Sequence, residues 1–303
     1  AMRALRVYRA VRRFDPDWIH VNFAWNMPIM AAVAGALRKP LLCTVHGSDV
    51  FRNPSWANQL RSPHLSKILC VSHALHDHIA THAPDLSGKL HIVRNPLNPI
   101  FFEECVPPPT TLRIVCVATL RRLKNHAWLL RALRELRDRG FSFECRLVGG
   151  TLPGEAYMME EIRSHIEHQG LSDVVTIAGR RSEEETKAEI DRASVLVLPS
   201  TSEGLPVVLC ETLARCRVPI ASDIPGNREA LSNARFGMLV KLNDTEALAD
   251  AICFAHDYQS KKRDEIIASR GHIIDAFGSG KYATEFFSLI NDCLREAKSP
   301  RSQ

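Results

Sequence analysis

No stretch of this 303-residue sequence is long and apolar enough to span a bilayer, and no secretory signal pattern opens it. Any membrane contact is therefore expected to be peripheral, at the inner face of a membrane. No block of Lys and Arg stands out either: 39 basic against 34 acidic residues leave a formal charge of only +5. So mild an excess reads as charge scattered over solvent-facing positions, with a surface patch for anionic lipid or acidic glycan left open and a nucleic-acid partner excluded. Paired cysteine spacing is missing as well. The nine cysteines are an odd set, and several, such as Cys116, sit inside apolar runs. They are expected to be buried reduced thiols of a cytoplasmic protein, not a disulfide framework. Nothing repeats at a short period and no segment is low in complexity, which argues against a repeat array.

What the sequence does have is an alternation of short β-branched runs with helical periodicity. Trp18–Phe23, Leu41–His46, Ile68–Ser72 and His91–Arg94 read as strands. After a proline-rich break, so do Arg113–Thr119, Phe143–Val148, Val174–Ala178, Val195–Leu198, Pro219–Ser222 and Met238–Lys241. Helices are expected at Leu5–Arg13, His126–Arg139, Tyr157–Gln169, Glu183–Arg192, Pro206–Arg215, Lys261–Asp275 and Lys281–Glu296, with Ser182 and Glu185 forming a capping box. Strands apolar on both faces and joined by helices imply parallel sheets covered on both sides, an α/β class with two Rossmann-like doubly wound domains. Pro107-Pro108-Pro109 can continue neither a helix nor a central strand and reads as a stiff linker. The domains expected are 1–106 and 110–280, with a last helix at about 281–297 packing back on the first. The first domain opens on a helix and then a strand, as a doubly wound sheet does in its middle. It is therefore expected to be incomplete, its N-terminal portion missing or supplied by a partner chain.

The most informative segment runs from Val195 through Pro199-Ser200-Thr201-Ser202-Glu203-Gly204-Leu205-Pro206-Val207 to Glu211. A buried strand ends in a polar loop, and Pro206 opens a helix near its first position. Open α/β sheets bind ligands at the carboxyl ends of their strands, where this loop falls. The first amides of the helix, at Val207 and Val208, would face an incoming anion, and Gly204 lets a ligand approach the backbone. Glu203 and Glu211 flank that positive end, and an ionised carboxylate accepts a pair of hydroxyls. A basic loop, Leu120-Arg121-Arg122-Leu123-Lys124-Asn125, follows the first strand of the second domain. Two signals for metal are rejected: Asp15-Pro16-Asp17 precedes a strand instead of following one, and His78 with His82 lacks a third ligand.

The Glu203-x7-Glu211 spacing and the surrounding Pro-Ser-x-x-Glu-Gly-Leu-Pro string resemble retaining GT-B glycosyltransferases, family 4 in particular, over most of the chain from about Pro16 to Phe277. That resemblance implies metal-independent, retaining transfer of a sugar from a UDP- or GDP-type nucleotide sugar to a glycan, lipid-linked or other hydroxyl acceptor, with no further cofactor. It places Glu203 on the donor sugar and Glu211 on the ribose hydroxyls, with Gly204, Leu205, Pro206 and Val207 as further donor-binding residues. Lys124 falls on the family's diphosphate Lys. The family's Arg is Thr119 here, so Arg121 or Arg122 is expected to substitute. Gly149-Gly150 and Gly179-Arg180 resemble turns beneath the nucleotide, with Gly150 and Arg180 as donor-side candidates. Asp223 to Glu229 matches a loop near the donor sugar with an altered glycine pattern. Thr44-Val45-His46-Gly47-Ser48-Asp49 resembles the family's His-Gly-x-Asp turn, with His46 near the reacting sugar. Val93-Arg94-Asn95-Pro96 matches another strand end. The family's glycine-rich acceptor loop has no counterpart. A nucleotide-sugar-binding subunit inactive without its partner, and an epimerase or hydrolase on the same architecture, are the alternatives.

Overall fold

The computed structural model describes residues 2–232 and 236–298. The chain divides into two compact units: residues 1–95 with 280–303, and residues 96–279. The division falls after Asn95, ahead of the triple proline.

In the first unit, α1 (Met2–Phe14) leads into β1 (Ile19–Asn22), α2 (Met27–Leu37), β2 (Leu41–Val45), α3 (Ser48–Phe51), α4 (Trp56–Leu60), β3 (Leu65–Cys70), α5 (His73–His82) and β4 (Leu90–Ile92). The four strands form a parallel sheet in the order β1-β2-β3-β4. β2, Leu-Leu-Cys-Thr-Val, is buried at every position, which its lack of polar alternation requires. Ser72 caps α5 by accepting a hydrogen bond from the amide of Leu75. The C-terminal α13 (Ser279–Lys298) closes this unit. Its Phe286, Ile290 and Cys293 pack with Leu42, Leu69 and Val93, with Trp18 and Tyr282 at the margin. Positions 286, 290 and 293 lie one helical turn apart, so the face that meets the sheet is its apolar stripe.

In the second unit, β5 (Leu112–Val117), α6 (His126–Asp138), β6 (Phe143–Val148), α7 (Tyr157–His168), β7 (Val175–Gly179), α8 (Glu183–Arg192), β8 (Val195–Leu198), α9 (Val207–Ala214), β9 (Val218–Ser222), α10 (Pro225–Leu231), β10 (Met238–Val240), α11 (Thr245–Lys261) and α12 (Arg263–Phe277) follow in turn. The parallel sheet runs β10-β9-β8-β5-β6-β7. Strand order reverses between β5 and β8, because β5 leads on to β6 on one side and lies beside β8 on the other. Loops leaving such a pair diverge to opposite faces and open a crevice at the strands' carboxyl ends. The Ser182–Glu185 capping box forms as expected. α11, with Leu248, Ala249, Ile252 and Ala255 buried, lies ahead of the helix expected from Lys261 onward.

The linker is held by buried cations. Arg215 and Arg217 are both fully buried. Arg215 pairs with Asp191 at 2.7 Å and donates to the carbonyls of Glu103 and Glu104, while Arg217 donates to the carbonyls of Val106, Pro107, Asp191 and Ala193. Burial pulls Arg217 down to about 10, so it stays charged at neutral pH, its charge spread over those carbonyl dipoles. A disulfide joins Cys105 to Cys216. This corrects the expectation of nine reduced thiols. The partners stand 111 residues apart, and only the fold brings the linker against the turn before β9. The other seven cysteines form no disulfide, and six of them are buried.

Candidate active site

Two loops meet at the carboxyl ends of β5 and β8. After β5, residues 122–124 form a single 3-10 turn, and Asn125, in the left-handed conformation (φ 50°), passes the chain into α6. After β8, the backbone amide and the hydroxyl of Thr201 both donate to the Leu123 carbonyl, at 2.8 and 3.1 Å, pinning one loop on the other. This brings Lys124 Nζ to 2.5 Å from Glu203 Oε1, with both side chains largely shielded. Two residues 79 apart in sequence thus form one ion pair at the switch point. An ammonium has three N–H donors; Glu203 takes one and leaves others for an anion. Beside them Pro206 caps α9, whose first amides have no partner within the helix. The helix begins at Val207, one residue after the expected proline.

The Glu203 loop is also fixed from its other side. Ser222 Oγ donates to the Ser200 carbonyl, and Asn227 Nδ2 donates to Ser222 at 2.8 and 3.0 Å. Ser222 and Asn227 are buried, and Ser200 Oγ and Asn227 Oδ1 are buried with no hydrogen-bond partner among the described residues. A Cβ placed on Gly226 would come 2.4 Å from the Glu203 carbonyl oxygen and 2.9 Å from that of Gly204. The start of α10 therefore lies against the backbone that carries the carboxylate. Sequence reading noted this loop only as altered in its glycines; the close approach is what Gly226 permits.

Glu211 lies in the second turn of α9, half-buried. Burial, and then the charge of Glu183, push its carboxyl up to about 7. It stands poised between acid and carboxylate at neutral pH. Arg121 is bidentate to Glu155 at 2.9 and 3.1 Å, a partner that sequence reading missed. Arg122 is exposed and makes a 3.4 Å pair with Glu161. Of the two arginines, Arg121 is the one held in place.

Below these loops, Gly149 has φ +151°, and a Cβ there would come 1.9 Å from the Ala118 carbonyl oxygen. Only glycine lets the chain ending β6 pass this close to the chain ending β5. At Gly150 a Cβ would meet nothing nearer than Arg180 Cβ at 3.4 Å. The steric requirement thus falls on Gly149, while Gly150 carries Arg180 alongside. His126, at the start of α6, is buried, and desolvation and then Lys124 lower it to about 4, leaving it neutral.

In the first unit the turn after β2 is organised by Asp49, fully buried. Its carboxylate accepts from the amides of Ala24 and His46, at 2.8 and 2.9 Å. Gly47, at φ +102°, makes the turn possible. The His46 ring lies between Asn22 Oδ1 at 3.2 Å and Asn95 Nδ2 at 3.4 Å, against Phe23 with ring centroids 4.5 Å apart. An amide donor on Nδ1 and a carbonyl acceptor on Nε2 select the Nε2–H tautomer. Burial lowers the His46 pKa against the opposing pull of Asp49, so the ring is a neutral hydrogen-bonder. Phe23 holds a left-handed φ of 73°, a strain for a bulky side chain that clusters at functional sites. His78 and His82 stack on each other at 4.2 Å, and among the described residues no group of three or more His, Cys, Asp or Glu could hold a metal ion.

Comparison with known proteins gives this arrangement its class. Anabaena Alr3699/HepE in complex with UDP and glucose superposes with a TM-score of 0.82 at 15% identity, over 95% of this chain and 80% of that one. The fold is thus that of the GT-B glycosyltransferases. In sequence, residues 2–100 match Glycosyltransferase Family 4 and residues 111–257 match Glycosyl transferases group 1. The putative colanic acid biosynthesis glycosyltransferase WcaL of Escherichia coli K12 is 35% identical over 152 residues, 48% of this chain and 36% of the relative. The amylovoran biosynthesis glycosyltransferase AmsK of Erwinia amylovora is 25% identical over 276 residues, 86% of this chain and 65% of the relative. The matched segment thus spans between about a third and two thirds of these relatives' lengths. The chain is thus similar to glycosyltransferases of family 4 and of group 1 along most of its length.

Proposed function

We propose that this chain transfers a sugar from a nucleotide-diphosphate donor to a hydroxyl of a glycan or lipid-linked acceptor, with retention of anomeric configuration and without a metal ion. The observation that carries this reading is the Lys124–Glu203 pair at the crevice between β5 and β8, beside the first amides of α9. The donor diphosphate lies against those amides and shares the Lys124 ammonium with Glu203. As the bond from the anomeric carbon to the diphosphate breaks, the electron pair leaves with the phosphate oxygen, the acceptor hydroxyl bonds the anomeric carbon from the same face, and its proton passes to that phosphate oxygen. Lys124, the first α9 amides at Val207 and Val208 and Arg121 stabilise that growing negative charge. Such preorganised donors are worth roughly 3–4 kcal/mol each. Glu203 orients the sugar and steadies positive charge at its anomeric carbon, with no covalent intermediate on the carboxylate. Glu211 accepts the ribose hydroxyls, and the turn of Gly149, Gly150 and Arg180 supports the nucleotide. Relatives named for colanic acid and amylovoran biosynthesis support a cell-surface polysaccharide precursor as acceptor.

The test incubates the chain with UDP- and GDP-sugars and a lipid-linked glycan extract, following nucleoside diphosphate release and the anomeric configuration of the product. Release with retention supports the reading. Donor binding without transfer to any acceptor reduces the chain to a nucleotide-sugar-binding subunit, and a C2-inverted sugar makes it an epimerase.

A further inference from the structure

The mild net charge of the chain is not evenly spread. Helix α1, Met-Arg-Ala-Leu-Arg-Val-Tyr-Arg-Ala-Val-Arg-Arg-Phe, holds Arg3, Arg6, Arg9, Arg12 and Arg13 and no acidic residue. Its +5 equals the formal charge of the whole chain, and this corrects the expectation that the basic excess is scattered. All five arginines are exposed, and none forms an ion pair among the described residues. The nearest carboxylates follow the helix, where Asp15 is neutralised by Lys39 at 3.0 Å and Asp17 is exposed.

The helix is two-faced. Ala4, Val7, Tyr8 and Val11 recur at helical spacing and form its half-buried inner stripe. At about 100° per residue, Met2, Leu5, Arg6, Arg9, Arg12 and Arg13 occupy an arc of roughly 120° on the opposite side. On that outer side apolar groups stand among the charges: Met2 is 79% and Leu5 48% exposed. A soluble polyanion offers such a face charge alone. An anionic bilayer offers charge at its headgroups and an apolar phase just beneath, and arginine side chains reach the first while methionine and leucine enter the second.

We propose that α1 is a membrane-surface helix that docks this chain on a bilayer containing anionic lipid. The inference rests on the outer face of α1 and on no residue of the donor site. It is tested by sedimentation of the chain with phosphatidylglycerol–phosphatidylcholine vesicles and with pure phosphatidylcholine vesicles, at low and high salt. The wild-type chain is expected to partition to the anionic vesicles at least about tenfold more strongly, and salt should weaken that binding. Each arginine near a charged surface contributes such that Arg6→Gln/Arg9→Gln/Arg13→Gln together should weaken partitioning roughly a hundredfold. Met2→Ser/Leu5→Ser should weaken it roughly tenfold. These side chains are exposed, so circular dichroism and nucleotide-sugar binding measured on the same variants should match wild type. Equal partitioning to both vesicle types, or undiminished partitioning of either variant, overturns the proposal. So does retention on heparin or DNA with no vesicle binding, which would assign the face to a soluble polyanion.

Discussion

At the scale of single residues, the account turns on how little separates a structural ion pair from a catalytic one. Lys124 and Glu203 are close enough to satisfy each other, yet the ammonium keeps donors to spare. Lys124→Ala is expected to lower turnover about 10²–10³-fold in a nucleoside diphosphate release assay and to weaken donor binding with it; wild-type rates would refute the assignment. Glu211 makes a prediction in pH. Its carboxyl is pushed up to about 7, so the acid form predominates below that pH and the carboxylate above it. Hydroxyls donate to the carboxylate, so affinity for a nucleotide sugar should rise as pH climbs through about 7. The nucleotide sugar itself has no ionisation there to mimic the effect, and Glu211→Gln should flatten the profile. The sign for stability is opposite: a raised carboxyl pKa favours the folded state below the unfolded pKa, and that contribution is lost as pH rises through about 7. Glu203, Glu211 and Lys124 were legible in sequence because a strand, a polar loop and a helix start follow one another there. Glu155 was not, because an acid before a helix has no signature until Arg121 lies beside it.

At the scale of elements, the strand ends are set by backbone approach. Gly149 passes the Ala118 carbonyl where any side chain would collide, whereas Gly150 has room up to Arg180. Gly149→Ala should therefore cost about 2 kcal/mol or more of stability in denaturant melts, and Gly150→Ala under about 1 kcal/mol. Comparable losses for both would contradict the placement. Gly226→Ala should press α10 off the Glu203–Gly204 backbone, raising KM for the donor about tenfold through a displacement of less than an ångström. Most strands were legible within two or three residues because runs such as Val195–Leu198 are apolar throughout. α11 was passed over, and its helix bounds depend on Asp244 capping Ala247, which is one ordinary acid among many in the sequence. Which glycine of a pair is indispensable is likewise a property of the neighbouring strand, not of the pair.

At the scale of the whole molecule, each unit is a parallel sheet with its own core, and residues 103–107 are fastened within the second. Arg215 and Arg217 hold the carbonyls of Glu103, Glu104, Val106 and Pro107, and the Cys105–Cys216 disulfide adds a covalent tie. Arg217→Met would take this donor from the carbonyls of Val106, Pro107, Asp191 and Ala193 and leave Val106 only the 3.4 Å contact of Arg263. It should cost about 3–5 kcal/mol, seen as a fall in Tm on the order of 10 °C. The triple proline marked the segment as stiff, but nothing in the sequence tied it to two arginines more than a hundred residues on. The central claim, that an anionic donor is held where the loops after β5 and β8 converge, is tested most directly by hydrogen–deuterium exchange with and without a bound nucleotide sugar. The account predicts protection confined chiefly to residues 118–126 and 199–211, lost in Lys124→Ala. Protection elsewhere, with those two segments unchanged, would contradict it.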